Sequence, residues 1–169
     1  KNKTAIIVST GPSLNKQLEL LKQVQNHATI ISVDSSYPIL KTHGIKPDYV
    51  TSIERVEDTS EFFNSEPSEF DKDIIFLTAT LIHPTTVNYL KGRNAAYILR
   101  PLSYELGFED NDFGYIGGGQ SAAHLAFDLS VQLGHEKIVL IGQDLAYGKG
   151  RSTHAKGHVI TTENEEAMP

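Results

Sequence analysis

Three consecutive glycines, Gly117-Gly118-Gly119, stand with Gln120 and Ser121 directly before a stretch in which Ala122, Leu125 and Leu129 recur at helical spacing. Such a turn lets main-chain N–H groups converge at a helix start, where the partial positive charge of the helix favours a phosphate or carboxylate. Gln120 adds an amide and Ser121 a hydroxyl to that site. Close packing of helix on strand is the structural alternative, since glycines permit that too.

A second polar turn, Ser9-Thr10-Gly11-Pro12-Ser13, follows the first apolar run at 5–8. Gly11 allows close backbone approach, and Thr10 and Ser13 offer hydroxyls to a phosphate or sugar. Read structurally, Ser13 is the N-cap of a helix through Leu14, Leu18, Leu21 and Val24. The turn lacks the three-glycine dinucleotide fingerprint and the Lys-Ser/Thr ending of a P-loop.

Other polar groups close the later apolar runs: Asp34 and Ser35, Glu54, and Gly142-Gln143-Asp144. An ionised Asp34 repels a phosphate, so it would accept from a ribose hydroxyl or a cytosine amine, or bind a cation. Its alternative role is to cap the short helix that follows. His154 is the candidate acid or base, because an imidazole of ordinary pKa, about 6.5, can take a proton from an attacking hydroxyl. Tyr147, Lys149, Arg151 and Thr153 lie in the same segment as donors to a leaving phosphate, and His158 is a rival four residues on. His124 is a packed or capped histidine. Asp110-Asn111-Asp112 matches an Asp-x-Asp pattern that holds Mg²⁺ or Mn²⁺ on a diphosphate, yet no clear strand precedes it and it reads as a solvated acidic loop.

The elements that must position these groups alternate. Apolar runs at 5–8, 29–33, 49–53, 73–78, 95–99 and 137–141 are strands, with helical patterns or polar connections between them. Continuous apolar strands alternating with helices predict a three-layer, Rossmann-like α/β fold: a mainly parallel sheet of about six strands with helices on both faces. In such sheets ligands bind beyond the carboxyl ends of the strands, where the polar groups above fall. Residues 101–113 are less regular and read as a lid or a partner-facing loop.

A charge of −6 without a run of Lys or Arg argues against nucleic acid as a partner. With no cysteine there are no disulfides, no thiolate chemistry and no Cys-ligated zinc. No apolar run reaches the roughly 18 residues of a membrane span, so no membrane insertion is expected and a cytoplasmic setting is the default. Oligomeric state leaves no mark in the sequence.

Thr10-Gly11-Pro12-Ser13-Leu14, Lys46-Pro47-Asp48-Tyr49-Val50, and the block from Gly118-Gly119 to Gly142-Gln143-Asp144 followed by Thr153-His154-Ala155 resemble the central domain of the bacterial motility accessory factor (Maf) proteins. The resemblance spans nearly the whole chain. It implies transfer of a nonulosonic acid, of pseudaminic or legionaminic type, from a CMP-activated donor to Ser or Thr of flagellin. The same residues are similar to bacterial sialyltransferases that use CMP-sialic acid, although asparagines of those enzymes are replaced here by Thr10 and Asp34. That likeness implies no essential metal cofactor.

From these resemblances Thr10, Gly11, Pro12, Ser13, Asp34, Ser35, Glu54, Gly118, Gly119, Gln120, Ser121, Gln143 and Asp144 are expected to bind the nucleotide sugar, with His154 and Tyr147 catalytic. The core is also similar to an archaeal 6-hydroxymethyl-dihydropterin pyrophosphokinase. On that alternative ATP is the donor, Asp34, Glu54 and Asp144 hold Mg²⁺, and Phe113, Tyr115 and Gln143 are weak candidates for the pterin ring. A non-catalytic nucleotide-binding module is the third reading. Residues 1–148 are expected to form the nucleotide-sugar-binding domain, and 149–169 an irregular C-terminal segment cut from a longer chain.

Overall fold

A computed structural model of the chain describes residues 3–100, 114–117, 119–148 and 152–160. Among them seven strands form one sheet: β1 (Thr4–Val8), β2 (Thr29–Val33), β3 (Tyr49–Ser52), β4 (Ile75–Ala79), β5 (Asn94–Leu99), β6 (Gly114–Tyr115) and β7 (Lys137–Ile141). Every neighbouring pair is parallel, in the order β6-β5-β4-β3-β2-β1-β7. The Rossmann-like architecture is as expected, with one strand more than the six read from the sequence. The extra strand, β6, has two residues, too few to leave a periodic signal.

Among the described residues four α-helices cover the sheet: α1 (Leu18–Val24), α2 (Tyr37–Thr42), α3 (Pro84–Tyr89) and α4 (Ala122–Gln132). Side chains alternate across each strand, so one apolar run feeds two cores. Ala5, Ile7, Ile31, Leu77 and Ile98 pack against Leu125, Ala126 and Leu129 of α4. On the opposite face Ile6, Val8 and Ile30 meet Leu18 and Leu21 of α1 and Ile39 and Leu40 of α2. Next to them Val50 and Phe76 pack with Tyr37, Phe62, Phe63 and Leu90. Burying a side chain such as Leu125 fully contributes about 1.5–3 kcal/mol.

The order of strands follows from these faces. Right-handed crossovers in one direction lay α1, α2 and α3 on a single face. From β6 the chain returns beneath the other face through α4 and adds β7 beside β1. The direction of winding therefore reverses between β1 and β7.

Three local expectations need correction. The helix through Leu14 and Val24 is a 3-10 turn, Pro12–Lys16, followed by α1. Ser13 lies inside that turn and is not its N-cap; Gly11 flanks it, and Pro12, which has no N–H to satisfy, takes its first position. Lys137–Ile141 is as apolar as an interior strand, yet it forms the sheet edge, with Val139 and Leu140 about half exposed. On the Leu140 face the reason is that α4 lies over β1, β2 and β3 more than over β7.

A buried ionic cluster anchors the loop before β4. Asp71 accepts from the Tyr37 hydroxyl and from the Ser68 N–H at 2.8 Å, with Lys41 at 3.3 Å and Arg93 at 3.6 Å. Burial alone would raise the Asp71 carboxyl, but these hydrogen bonds and charges outweigh it and hold the group below its ordinary pKa. Among the described residues no helix is long and apolar enough to cross a membrane.

Candidate functional site

The parallel ladder of β1 and β7 runs one step past the strands. Ser9 N–H donates to the Ile141 carbonyl at 2.9 Å and Gly11 N–H to the Gly142 carbonyl at 2.7 Å. Only glycine fits at this contact. A Cβ on Gly11 would lie 2.5 Å from the Gly142 oxygen and 2.6 Å from Asp144 Oδ2, and Gly142 itself has φ of +67°. The two loops then part around a cavity of about 470 Å³ whose walls include Thr10, Gln143, Asp144, Tyr147, Thr153 and His154. It lies where the winding reverses, the position at which open α/β sheets bind ligands.

Several of these side chains are held in place by their neighbours. Ser9 Oγ donates to Gln143 Oε1 at 2.8 Å, which leaves the amide nitrogen of Gln143 for a ligand. The Thr10 and Ser35 hydroxyls lie 3.3 Å apart and join the ends of β1 and β2. Asp144 behaves differently from the expected ligand-binding acid: its Oδ2 accepts from Ser13 N–H at 2.7 Å and its Oδ1 from the Ser13 hydroxyl. The Pro12–Lys16 turn is thus capped by a carboxylate from the far end of the chain, and Ser13 is committed to it.

Residues 152–160 close one side. They contain no regular element, and Ala155 is buried among α1 and α2 residues, its N–H donating to the Thr10 carbonyl at 2.7 Å. This anchor carries His154 into the cleft. The His154 ring stacks on His158 with centroids 3.9 Å apart, and His158 in turn meets the Phe62 edge at 5.5 Å. His158 Nδ1 lies 2.7 Å from the Ile160 carbonyl, so that nitrogen carries the proton. His158 is therefore the platform beneath His154, not its rival. Thr153 Oγ1 lies 2.8 Å from His154 Nδ1, and Tyr147 is exposed at the rim.

Asp34 sits at the end of β2, almost completely buried. It accepts from the Ser52 hydroxyl and from the Ser35 N–H, each at 2.7 Å, and caps no helix. Burial is the main cause that pushes its carboxyl up to about 6; these two hydrogen bonds oppose the shift and the nearby Glu54 charge adds to it. Glu54 itself is exposed. Among the described residues no three His, Asp or Glu side chains are placed to share a metal ion, so Asp34, Glu54 and Asp144 do not assemble as the Mg²⁺ set of the alternative reading.

Among the described residues of the glycine turn, Gly117, Gly119, Gln120 and Ser121 are not on the walls of this cavity. Thr51 Oγ1 donates to the Ala122 carbonyl at 3.0 Å, which places the start of α4 over the end of β3, away from the β1–β7 crevice. Its polar groups have other work. Ser121 is the N-cap of α4, accepting from the His124 N–H, with His124 Nδ1 3.0 Å from its hydroxyl. The Gly119 carbonyl accepts from Arg100, and a Cβ there would lie 2.7 Å from His124. A Cβ on Gly117 would lie 2.8 Å from Asp128 Oδ2, so close packing accounts for both glycines. Gln120 is exposed beside them. Gly118, Lys149, Arg151 and residues 101–113, with Asp110, Asp112 and Phe113, lie outside the described residues.

Two contributors were absent from the sequence-derived site. Ser52, which holds Asp34, sits in a strand, though the polar Thr51-Ser52 pair at the end of an apolar run was a signal for it. Ser9, which orients Gln143, carried only its position after β1.

Fold and cleft define a doubly wound α/β domain with a cavity at its strand-order reversal. The chain belongs to the 6-hydroxymethylpterin diphosphokinase MptE-like family, whose model matches residues 1–150. A solved structure, the MAf glycosyltransferase from Magnetospirillum magneticum AMB-1, shares the fold with a TM-score of 0.73 and 23% identity over 87% of this chain. An uncharacterized protein of Treponema pallidum (strain Nichols) is 38% identical over 50 residues, 30% of this chain. The chain spans 23% of the length of the first and 24% of the second. Both relations expected from the sequence, to motility accessory factors and to the pterin diphosphokinases, are thus found.

Proposed function

We propose that this is the nucleotide-sugar-binding catalytic domain of a glycosyltransferase that moves a nonulosonic acid from a CMP donor to a hydroxyl of flagellin. The observation that carries it is the β1–β7 cleft, which brings Thr10, Gln143, Tyr147 and His154 to one cavity. The fold shared with a solved glycosyltransferase supports the same reading.

In this reading Thr10 and Ser35 hydroxyls and the Gln143 amide hold the nucleotide. His154 takes the proton of the acceptor hydroxyl as its oxygen bonds to the anomeric carbon. The anomeric carbon–phosphate oxygen bond breaks, and CMP leaves with the electron pair. Tyr147, at the rim, donates to the departing phosphate. No metal cofactor takes part, because a CMP donor carries a single phosphate.

The family's description favours a second reading, diphosphoryl transfer from ATP and Mg²⁺ to a hydroxymethylpterin. Calorimetry with CMP, CTP, ATP and GTP, each with and without Mg²⁺, separates the two. Metal-independent CMP binding that weakens at least tenfold in Thr10→Val supports glycosyl transfer. Binding of ATP alone, and only with Mg²⁺, would replace it by the kinase reading, and no nucleotide binding at all would favour a non-catalytic module.

A further inference from the structure

The cleft does not end at Tyr147 and His154. Beyond them a second cavity of about 540 Å³ opens over the Pro12–Lys16 turn, and Asp144, Ala146, Tyr147 and His154 line both. The two lobes differ in charge. Lys16 and Lys156 line the second, whereas among the described residues no lysine or arginine lines the first. Neither ammonium takes part in an ion pair among the described residues.

Both lysines rise from fixed backbone. Lys156 N–H donates to Asn15 Oδ1 at 3.0 Å, which ties the segment of one lysine to the turn of the other. The neighbouring Ala155 is buried and bonded to Thr10. Among the described residues Asp144 is the one carboxylate on the wall, and both its oxygens already accept from Ser13. Two cations on converging elements, facing one cavity whose described carboxylate is engaged by Ser13 and outnumbered by them, suit an oxyanion with more than one acceptor oxygen.

We propose that the second lobe is an anion subsite that receives a phosphate or carboxylate of the transferred group while the nucleotide occupies the first lobe. Only the placement of the nucleotide rests on the glycosyl-transfer reading. The lobes meet at His154 and Tyr147, so the bond between nucleotide and transferred group lies against the two residues assigned to the chemistry. Together the lobes hold roughly the upper end of the volume of an ordinary small-molecule site, enough for a nucleotide plus a second group.

The test is an amide NMR titration of the protein with inorganic pyrophosphate and, separately, with N-acetylneuraminate, in the presence and absence of cytidine. Shifts at the Lys16 and Lys156 amides are expected, with affinity falling about tenfold or more in the Lys16→Gln/Lys156→Gln variant as two charge-assisted contacts are lost. Both side chains are exposed, so the variant should melt like the wild type. A response to pyrophosphate alone identifies a phosphate subsite, and a response to N-acetylneuraminate alone a carboxylate subsite. If neither anion moves these amides, or the double variant titrates like the wild type, the proposal is overturned. Failure of cytidine to shift Thr10 and Gln143 while the lysine response persists would sink the nucleotide placement and leave the anion subsite standing.

Discussion

Replacing Gly142 by alanine should destabilise the domain far more than the same change at Gly134, although both glycines have positive φ, +67° and +79°. At Gly134 nothing lies within 4 Å of the added Cβ, so only backbone strain is felt. That strain costs about 1–2 kcal/mol, partly offset by the roughly 0.4–1 kcal/mol that alanine gains by restricting the unfolded chain. At Gly142 the Cβ collides with the Ser9 carbonyl oxygen and comes 3.3 Å from Leu14 Cβ. The oxygen belongs to backbone that the Ser9–Ile141 and Gly11–Gly142 hydrogen bonds hold in place, so it cannot turn aside. Overpacking of this kind adds about 1–3 kcal/mol, and losing one of those bonds about 1 kcal/mol more. The gap between the two variants is then about 3 kcal/mol, or about 6–12 °C in Tm for a chain of this size. Urea unfolding of both variants with unchanged m-values measures it. Equal destabilisation would refute the claim that the β1 and β7 loops form a fixed floor to the cleft.

Asp34→Asn should change how stability depends on pH. A carboxyl raised to about 6 in the fold contributes stability that is complete below the unfolded pKa and is lost as pH rises through 6. Between pH 4 and pH 7 the wild type should therefore lose about 2–3 kcal/mol relative to Asp34→Asn, measured by urea unfolding at both values; parallel pH profiles would mean that Asp34 is not buried as a charge. On the proposed glycosyl-transfer reading, His158→Ala should lower turnover about ten- to a hundredfold by releasing the His154 ring, whereas His158→Phe, which keeps the stack, should restore most of it without shifting the pH profile. If phenylalanine restores nothing, His158 takes part through its proton and not as a platform.

The sheet was legible because its signal is local. Five-residue apolar runs such as 29–33 are buried on both faces, and each face needs its own set of helices. The polar residues that end those runs were legible for the same reason, and Thr10, Gln143 and His154 do meet. What each polar group bonds was not. Asp144 reads as a free acid after a strand, yet its two oxygens are taken by Ser13, 131 residues earlier in the chain. His154 and His158 read as competitors at a spacing of four, and only the packing of Ala155 and Phe62 turns them into a stack.

The glycines show where the limit lies. A run of glycine states that something approaches the backbone closely, and the approach to Gly117 and Gly119 comes from Asp128 and His124 of the helix they introduce. Gly11 and Gly142 stand far apart in the sequence, yet they make the closest approach at the cleft, to each other's loops. That meeting exists because α4 carries the chain back across the sheet and sets β7 beside β1. The two turns face one another through a choice of topology that no local window of sequence contains. A ligand site at a strand-order reversal is therefore easier to read from which strand ends become neighbours than from how many glycines either turn displays.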